Sequence, residues 1–269
     1  MRGVCLALFL TVMAGPVWAN ARVTILMDVL KVSHVVEILR TEGLAYAAVL
    51  DQDMLGGQGG PFWQEQVSAI YDVQRISERL RTALETQMDA DDIEAAIAFF
   101  GSNLGRQIID QENTARRAMM DPDLEQAALD FYAESVAAQD PMTGLITTFI
   151  VANDLLDRNV SGAMSSNFQF YKGLSDGRYT SQSEADILSD VWEQEAEIRE
   201  DTDGWLNGFL FMAYQSLSVE ALQQYIDYST SPEGQALNAA LFDGFEAVYR
   251  DVSYGLGRAV ALNAKVDDI

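Results

Sequence analysis

The sequence predicts an all-α fold without a sheet, in which two repeated helical-hairpin units pack as one helical array. Apolar residues recur at intervals of three and four along most of the chain, which is the spacing of a helix that faces a core. Runs that alternate in the way of a half-buried strand are confined to the short segment 21–27. Serine or aspartate, followed by proline or glutamate, precedes several apolar series, as expected at the starts of helices.

Residues 1–21 have the pattern of a secretory signal peptide. Arg2 precedes an apolar run over residues 4–14, a Gly-Pro pair interrupts it, and small residues follow at the spacing that a signal peptidase recognises. The run is too short to span a bilayer, which requires about 20 apolar residues. We therefore expect cleavage after Ala19 or Ala21 and a periplasmic or secreted protein.

The composition excludes several classes of partner and chemistry. The chain has 41 acidic and 17 basic residues and a net charge of −24, so its surface repels nucleic acid and anionic lipid headgroups. Its hydrophobic content of 49% is that of a folded domain. The single cysteine, Cys5, lies in the predicted signal peptide, so the mature chain has no thiol for a disulfide, a metal or a nucleophile. The sequence predicts no nucleic-acid partner, no cofactor and no integral membrane segment in the mature chain.

The first helical repeat is predicted over residues 28–140. A glycine-rich stretch at 56–60 predicts a loop, and the apolar spacing predicts one long helix over 62–88. Asp89 is expected to begin the next helix, because its carboxylate can accept the free amide protons of the first turn. Asp121 before a proline predicts a further cap, with the proline at the first helical position.

Residues 141–156 are predicted to form a central helix that connects the two repeats. Asp140 before a proline marks its start, and the segment 142–152 carries no charge. This segment is far shorter than a membrane span, so a buried helix is favoured over a membrane-inserting segment. The second repeat follows over residues 157–269, with a capping box predicted at 181–184.

An internal duplication is indicated by matches at a constant offset of 129 residues. At this offset Ser102 and Gly105 of the first copy align with Ser231 and Gly234 of the second. The serine is expected to cap the second helix of a pair, and Pro232 takes the first helical position in the second copy. Because glycine costs about 1 kcal/mol in a helix relative to alanine, its place in the first turn predicts the close approach of another backbone. These five residues mark one tight αα corner that is used twice.

The second copy carries the clearer pattern, over residues 217–245. It has an acidic first turn, a helix that ends in an aromatic residue, then Ser-Pro-x-Gly and an amphipathic helix. The matching positions are Glu220, Tyr228, Ser231, Pro232, Gly234 and Leu237. This pattern resembles a bacterial family of exported proteins catalogued as domain of unknown function 2059, with a weaker echo in the first copy, where Asn103 replaces the proline. The resemblance implies an exported, all-helical protein without an established activity, and it assigns no catalytic residue.

Residue types that carry enzymatic chemistry are scarce. His34 is the single histidine, and its apolar neighbours predict a place at the edge of the core. The sequence has no G-x-S-x-G nucleophile motif. Asp201 and Asp203, followed by glycine, look like the centre of a calcium loop, but Arg199 and Leu210 stand where such a loop needs oxygen ligands. We therefore predict no catalytic residue, no metal ligand and no cofactor site.

Aromatic residues crowd one short predicted helix, and they form a candidate apolar groove: Trp205, Phe209, Phe211, Met212 and Tyr214. Such a helix is a core element, or it lines a groove for an acyl chain or a partner helix. The sequence favours an exported, non-enzymatic binding or scaffolding protein of the cell envelope, whose partner is an envelope protein or an apolar ligand. The alternatives are a carrier of a lipid or acyl chain and a carboxylate-dependent hydrolase of envelope polymers.

Overall fold

The computed structural model describes residues 15–264, and these residues form thirteen α-helices and no strand. The prediction of an all-α fold is therefore confirmed. The helices are α1 Gly15–Val29, α2 Val32–Leu55, α3 Gly60–Ile70, α4 Val73–Gln87, α5 Ala90–Phe100, α6 Asn103–Ala118, α7 Pro122–Ala137, α8 Pro141–Ala152, α9 Leu155–Asp176, α10 Glu184–Glu193, α11 Glu195–Tyr214, α12 Val219–Ser229 and α13 Pro232–Asn263. The strand-like segment 21–27 lies within α1. Residues 1–14 of the predicted signal peptide lie outside the described part of the chain.

Side-chain caps begin three helices at their predicted positions. The carboxylate of Asp89 accepts a hydrogen bond from the backbone N–H of Asp92 at 3.0 Å. The carboxylate of Asp92 accepts in turn from the N–H of Asp89 at 3.0 Å, which completes a capping box. Asp121 and Asp140 cap α7 and α8, and each is followed by a proline in the first turn.

Two predicted helix boundaries are wrong. The helix predicted over 62–88 is two helices, α3 and α4, because the carboxylate of Asp72 accepts a backbone N–H of the next turn at 2.8 Å and starts a new helix. The cap predicted at 181–184 lies within that segment at Ser183, whose reciprocal partner is Asp186. In both cases another side-chain acceptor takes the N-cap position.

The two αα corners have the same geometry. α5 and α12 are each 11 residues long, and a short turn joins each of them to the second helix of its pair. The hydroxyl of Ser102 accepts from the N–H of Gly105 at 3.0 Å, and that of Ser231 accepts from Gly234 at 3.1 Å. Pro232 is the first residue of α13. The aligned serines thus cap the second helix in both pairs.

Both corner glycines lie directly against the backbone of the preceding helix. A Cβ atom on Gly234 would overlap the carbonyl oxygen of Tyr228, and a Cβ atom on Gly105 would overlap that of Phe99. Backbone atoms cannot move aside as the end of a flexible side chain can, so each position excludes any side chain. The close crossing of the two helices therefore explains a glycine in the first turn of α6 and of α13.

The two copies differ after the corner. α6 ends at Ala118 and α7 begins at Pro122, whereas the aligned residue of the second copy, Asp251, lies inside α13, which runs unbroken for 32 residues. Pro122 has no backbone N–H to donate, and it disfavours helical geometry at the residue before it. The proline therefore makes α7 a separate helix in the first copy.

The second helix of each pair packs into the core of the other copy. The first core is formed mainly by α1 to α5 together with α13, which contributes Leu237 and Val252. The second core is formed mainly by α8, α11 and α12 together with α6, which contributes Ile108 and Ala115. α6 also places Ile109 in the first core and α13 also packs on α9 of its own copy, so these two helices connect the copies through both cores.

The central helix predicted over 141–156 corresponds to α8, and its Ile146 and Phe149 are buried in the second core. α8 packs on α11 and α12, just as α1 packs on α4 and α5. By its contacts α8 is thus the first helix of the second copy, while the domain boundaries proposed from the sequence stay a prediction. Within residues 15–264, no helix combines the length and the apolar character that crossing a membrane requires.

Candidate functional site

A polar cluster in the second core joins the two copies. Glu112 lies on α6, and its Oε1 atom accepts hydrogen bonds from the hydroxyl of Tyr214 at 2.5 Å and from that of Tyr225 at 3.3 Å. Tyr214 comes from α11 and is buried, whereas Tyr225 comes from α12 and is half-buried, as is Glu112. The ring of Phe149 contacts both tyrosine rings, with centroids 5.8 and 4.9 Å away. The cluster thus places one carboxyl group of the first copy among aromatic residues of the second.

The surroundings of Glu112 change its protonation. Burial raises the pKa of its carboxyl from 4.5 to about 7, although the hydrogen bonds from Tyr214 and Tyr225 act to lower it. Burial also raises the pKa of both tyrosine hydroxyls, so these remain hydrogen-bond donors. Glu112 can therefore gain or lose a proton near neutral pH. Its hydrogen-bond partners are phenols, whereas a glycosidase mechanism uses a pair of carboxyl groups.

One turn further along α6, Arg116 connects the cluster to α2. Its Nε and Nη2 atoms donate to the two carboxylate oxygens of Glu42 at 2.7 and 2.8 Å, which is a bidentate pair. The guanidinium also lies over the ring of Trp205, 5.4 Å from the ring centroid. Burial acts to lower the pKa of Arg116, but the hydrogen bond to Glu42 outweighs it and the pKa is raised. The ion pair therefore stays charged and links α2, α6 and α11.

The five residues of the predicted apolar groove lie on α11 and pack against the second core. Phe211 and Tyr214 are buried, with 2% and 1% of their surface exposed, and Trp205, Phe209 and Met212 are half-buried. The rings of Trp205 and Phe209 stack with centroids 4.9 Å apart. Phe211 makes edge contacts with the rings of Phe131 and Tyr132 on α7. Core packing accounts for these contacts, and binding of a ligand by this helix stays a prediction.

The other residues singled out from the sequence lie apart from this cluster. The apolar neighbours of His34 predict a place at the edge of the core, but the residue is exposed on α2. Asp201 and Asp203 are part of α11, so they form no calcium-binding loop. Across the described range 15–264, no group of three or more His, Cys, Asp or Glu side chains could hold a metal ion.

α7 presents an apolar stripe to solvent. Leu124, Ala127 and Phe131 follow one another at helical spacing and therefore share one side of the helix. Leu124 and Phe131 keep 47% and 46% of their surface exposed, and Ala127 is exposed as well. The neighbouring side of α7, which carries the buried residues Ala128 and Ser135, packs on α11. The stripe of Leu124, Ala127 and Phe131 is named the α7 face below.

Acidic residues border the α7 face. Asp123, Asp130 and Glu134 run along one flank of the stripe at helical spacing. α7 contains no lysine or arginine in its 16 residues. An exposed apolar surface with a charged rim is typical of a protein interaction site.

The fold defines an all-α protein in which two helical hairpins exchange their second helices. Residues 74–134 match the bacterial family described as uncharacterized protein conserved in bacteria, domain of unknown function 2059. The resemblance to this family is confirmed, and the matching segment runs from α4 to α7. The match lies within the first copy and covers only its residues 74–134, whereas the sequence pattern had indicated segment 217–245 of the second copy as the clearer one. Comparison with curated proteins and with solved structures gives no match.

Neither Glu112 nor the α7 face was predicted from the sequence, although both lie in the segment that matches the family. A buried carboxyl could have been suspected at Glu112, because Ile108 and Ala115 lie on the same side of a predicted helix. The spacing of Leu124 and Phe131 can also be read from the sequence. That much of this stripe meets solvent, while the ring of Phe131 also contacts that of Phe211 on α11, depends on tertiary packing.

Proposed function

We propose that the protein is exported and acts as a non-enzymatic binding protein of the bacterial cell envelope, which docks a basic, amphipathic protein segment on the α7 face. The observation that carries this proposal is the exposure of Leu124 and Phe131 on a helix that is lined by carboxylates. α7 also has no separate counterpart in the second copy, where α13 continues unbroken. The residues of α13 that align with α7 continue the preceding helix, so a separate helix at this place is particular to the first copy.

Charge supports a basic partner over a second copy of this chain. Two copies that each carry a net charge of −24 repel each other, whereas a lysine- or arginine-rich segment is attracted. Asp123, Asp130 and Glu134 lie where they can pair with such residues at the edge of an apolar contact. A helix that buries its apolar stripe in this way is a common mode of peptide recognition.

The carrier and hydrolase alternatives have less support. Phe211 and Tyr214, which a carrier would need along its groove, fill the second core. Glu112, whose raised pKa would suit a general acid, is engaged by two phenol groups. Docking on a surface requires neither an apolar cavity nor a pair of catalytic carboxylates.

A synthetic peptide that forms a helix with a leucine stripe and flanking lysines tests the docking. We expect saturable binding to the mature chain in isothermal titration calorimetry. The double variant Leu124→Ser and Phe131→Ser should bind at least about tenfold more weakly, because burying each apolar side chain contributes about 1.5–3 kcal/mol. The matched control, Val151→Ser with Leu262→Ser, removes two exposed apolar side chains from α8 and α13 and should bind like the parent. Equal binding by the α7 variant and the parent would overturn the proposal.

Export is tested separately by N-terminal sequencing of the protein from a periplasmic extract. A mature chain that begins after Ala19 or Ala21 supports export. An intact Met1 in protein from the cytosolic fraction would show that the predicted signal is not used.

A further inference from the structure

We infer that an exposed apolar surface in the middle of α2 docks a helix of a partner protein, with small apolar residues on its contact side and a net positive charge. This surface, named the α2 belt, consists of Leu44, Ala45, Tyr46, Ala48 and Val49. Leu44, Tyr46 and Val49 keep 40%, 52% and 53% of their surface exposed, and both alanines are exposed as well. Residues 43–50 carry no charge. The belt shares no residue with the α7 face, so the inference goes beyond the proposed docking there and does not depend on it.

α6 lies along α2 up to the start of the belt. Lys31, just before α2, forms an ion pair with Asp110 of α6, and Glu42 pairs with Arg116 at 2.7 Å. α6 ends two residues after Arg116, and the belt begins at Leu44, two residues after Glu42. The cover that α6 gives to α2 therefore stops where the apolar belt begins.

In the second copy the corresponding helix, α9, is covered by α13. A Cβ atom on Gly173 of α9 would overlap the carbonyl oxygen of Tyr254, and a Cβ atom on Gly257 of α13 would overlap that of Phe170. The backbones of the two helices are therefore in direct contact, and glycine on each side permits this approach.

One dipeptide shows the difference between α2 and α9. Gly43-Leu44 of α2 recurs as Gly173-Leu174 of α9, at an offset one residue longer than that of the repeat. Leu174 keeps 2% of its surface exposed and belongs to the first core, whereas Leu44 keeps 40%. The same residue type is thus buried on the helix that α13 covers and exposed on the helix that α6 leaves uncovered.

The segment of the first copy that aligns with this part of α13 lies elsewhere. Residues 254–261 of α13 align with residues 125–132 of α7 at the offset of the repeat. α7 packs on α11, where Leu129 lies against Gly208 and the ring of Phe131 is 5.3 Å from that of Phe211. The α2 belt therefore borders a position that a helix occupies in the second copy.

The belt also determines the chemistry of its partner. Its two alanines lie beside Leu44 and Val49 in adjacent rows along α2, so a helix with small residues can approach closely, as α13 approaches α9. A charge buried against residues 43–50 would have no partner there, so the contact side of the partner must be apolar. The net charge of −24 attracts a positively charged partner and repels a second copy of this chain.

Calorimetric titration with a synthetic helical peptide, with alanines and one leucine row on one side and lysines on the other, tests the inference. We expect saturable binding to the mature chain. The double variant Ala48→Glu and Val49→Glu should bind at least about tenfold more weakly, because two carboxylates would lose water in the contact. The added charges attract the lysines, so a weaker affinity reports the apolar contact itself.

The matched control is Val136→Glu with Ala137→Glu, an adjacent exposed pair near the end of α7 and outside the α7 face. It adds the same charge and should change the affinity by less than about twofold. Circular dichroism checks that the peptide is helical and that each variant keeps its helical fold.

Three outcomes would overturn the inference. The first is the absence of saturable binding, or equal binding by the belt variant and its control. The second is binding that Leu124→Ser with Phe131→Ser weakens and the belt variant does not, which places the peptide on the α7 face and leaves the proposed function intact. The third is a dimer of the parent in sedimentation that the belt variant abolishes, since this would assign the α2 belt to a second copy of the chain.

Discussion

Phe99 and Tyr228 stack face to face, with ring centroids 4.1 Å apart and planes within 7° of parallel. The two residues are 129 positions apart, which is the offset of the repeat, so they occupy the same place in the two αα corners. A contact between equivalent residues is what a two-fold arrangement of two similar units produces. The two corners therefore meet beside both cores, since Phe99 packs against each of them.

The stacked pair should couple the stabilities of the two copies. In a double-mutant cycle of Phe99→Ala and Tyr228→Ala, we expect a coupling energy of about 0.5–1.5 kcal/mol, as for other aromatic pairs. Urea unfolding of the four proteins measures it. As a control, Phe99→Ala combined with Phe62→Ala, a largely exposed residue of α3, should be additive within about 0.5 kcal/mol. Additivity in the main cycle would contradict the coupling.

The hydroxyl of Tyr228 should be dispensable. It is buried and has no hydrogen-bond partner among residues 15–264. Because an unpaired buried hydroxyl is destabilising, Tyr228→Phe should raise the free energy of unfolding by about 1 kcal/mol. Tyr214→Phe is the matched comparison, since its hydroxyl donates to Glu112 at 2.5 Å. The free energy of unfolding of Tyr214→Phe should fall by about 1.5–3 kcal/mol at a pH where Glu112 is charged. Equal effects of the two substitutions would show that the hydrogen-bond partner of the hydroxyl does not determine its effect on stability.

Glu112 should make the protein less stable as the pH rises through neutrality. Its pKa is raised by burial to about 7 in the folded chain, so between the unfolded value near 4.5 and pH 7 the folded state holds a proton that the unfolded state has lost. The contribution of Glu112 to the free energy of unfolding is therefore complete below the pKa that its carboxyl has in the unfolded chain. It is lost as the pH rises through the pKa that the carboxyl has in the folded chain. The loss amounts to roughly 1–3 kcal/mol, because solvent screens part of the effect at a half-buried group.

Glu112→Gln isolates this contribution, because glutamine keeps an acceptor for both tyrosines but cannot ionise. We expect the variant to gain stability relative to the parent as the pH rises from 5 to 8, in denaturant unfolding series at each pH. Glu125→Gln, on α7, provides a control with the same change of side chain outside the cluster. A stability difference between Glu112→Gln and the parent that does not vary with pH would show that the cluster does not titrate in this range.

Local determinants of the fold could be predicted from the sequence, and long-range ones could not. The caps at Asp89, Asp121 and Asp140 are each satisfied within a few residues, so their residue types alone identify them. The exchange of α6 and α13 between the cores depends on which apolar stripes meet in space, and helical spacing carries no such information. The same limit applies to Glu112, whose partners Tyr214 and Tyr225 are more than 100 positions away.

The corner glycines provide the most direct test of the repeat. Gly234→Ala should destabilise the protein by at least about 1–3 kcal/mol, because the added methyl group would overlap the carbonyl oxygen of Tyr228 and the two helices would have to separate. Gly105→Ala should have a cost of similar size, since its Cβ would meet the backbone at Phe99 in the same way.

The control for both variants is Gly162→Ala, within α9, where an added Cβ has no neighbour within 4 Å. There alanine should stabilise the protein by about 1 kcal/mol, because only its higher helix propensity acts. Thermal unfolding of the three variants separates packing from propensity, since the two effects have opposite signs. If Gly234→Ala and Gly162→Ala shifted the melting temperature in the same direction, the close crossing at the corner would not be what maintains the glycine. The shared geometry of the two corners would then rest on the serine caps alone.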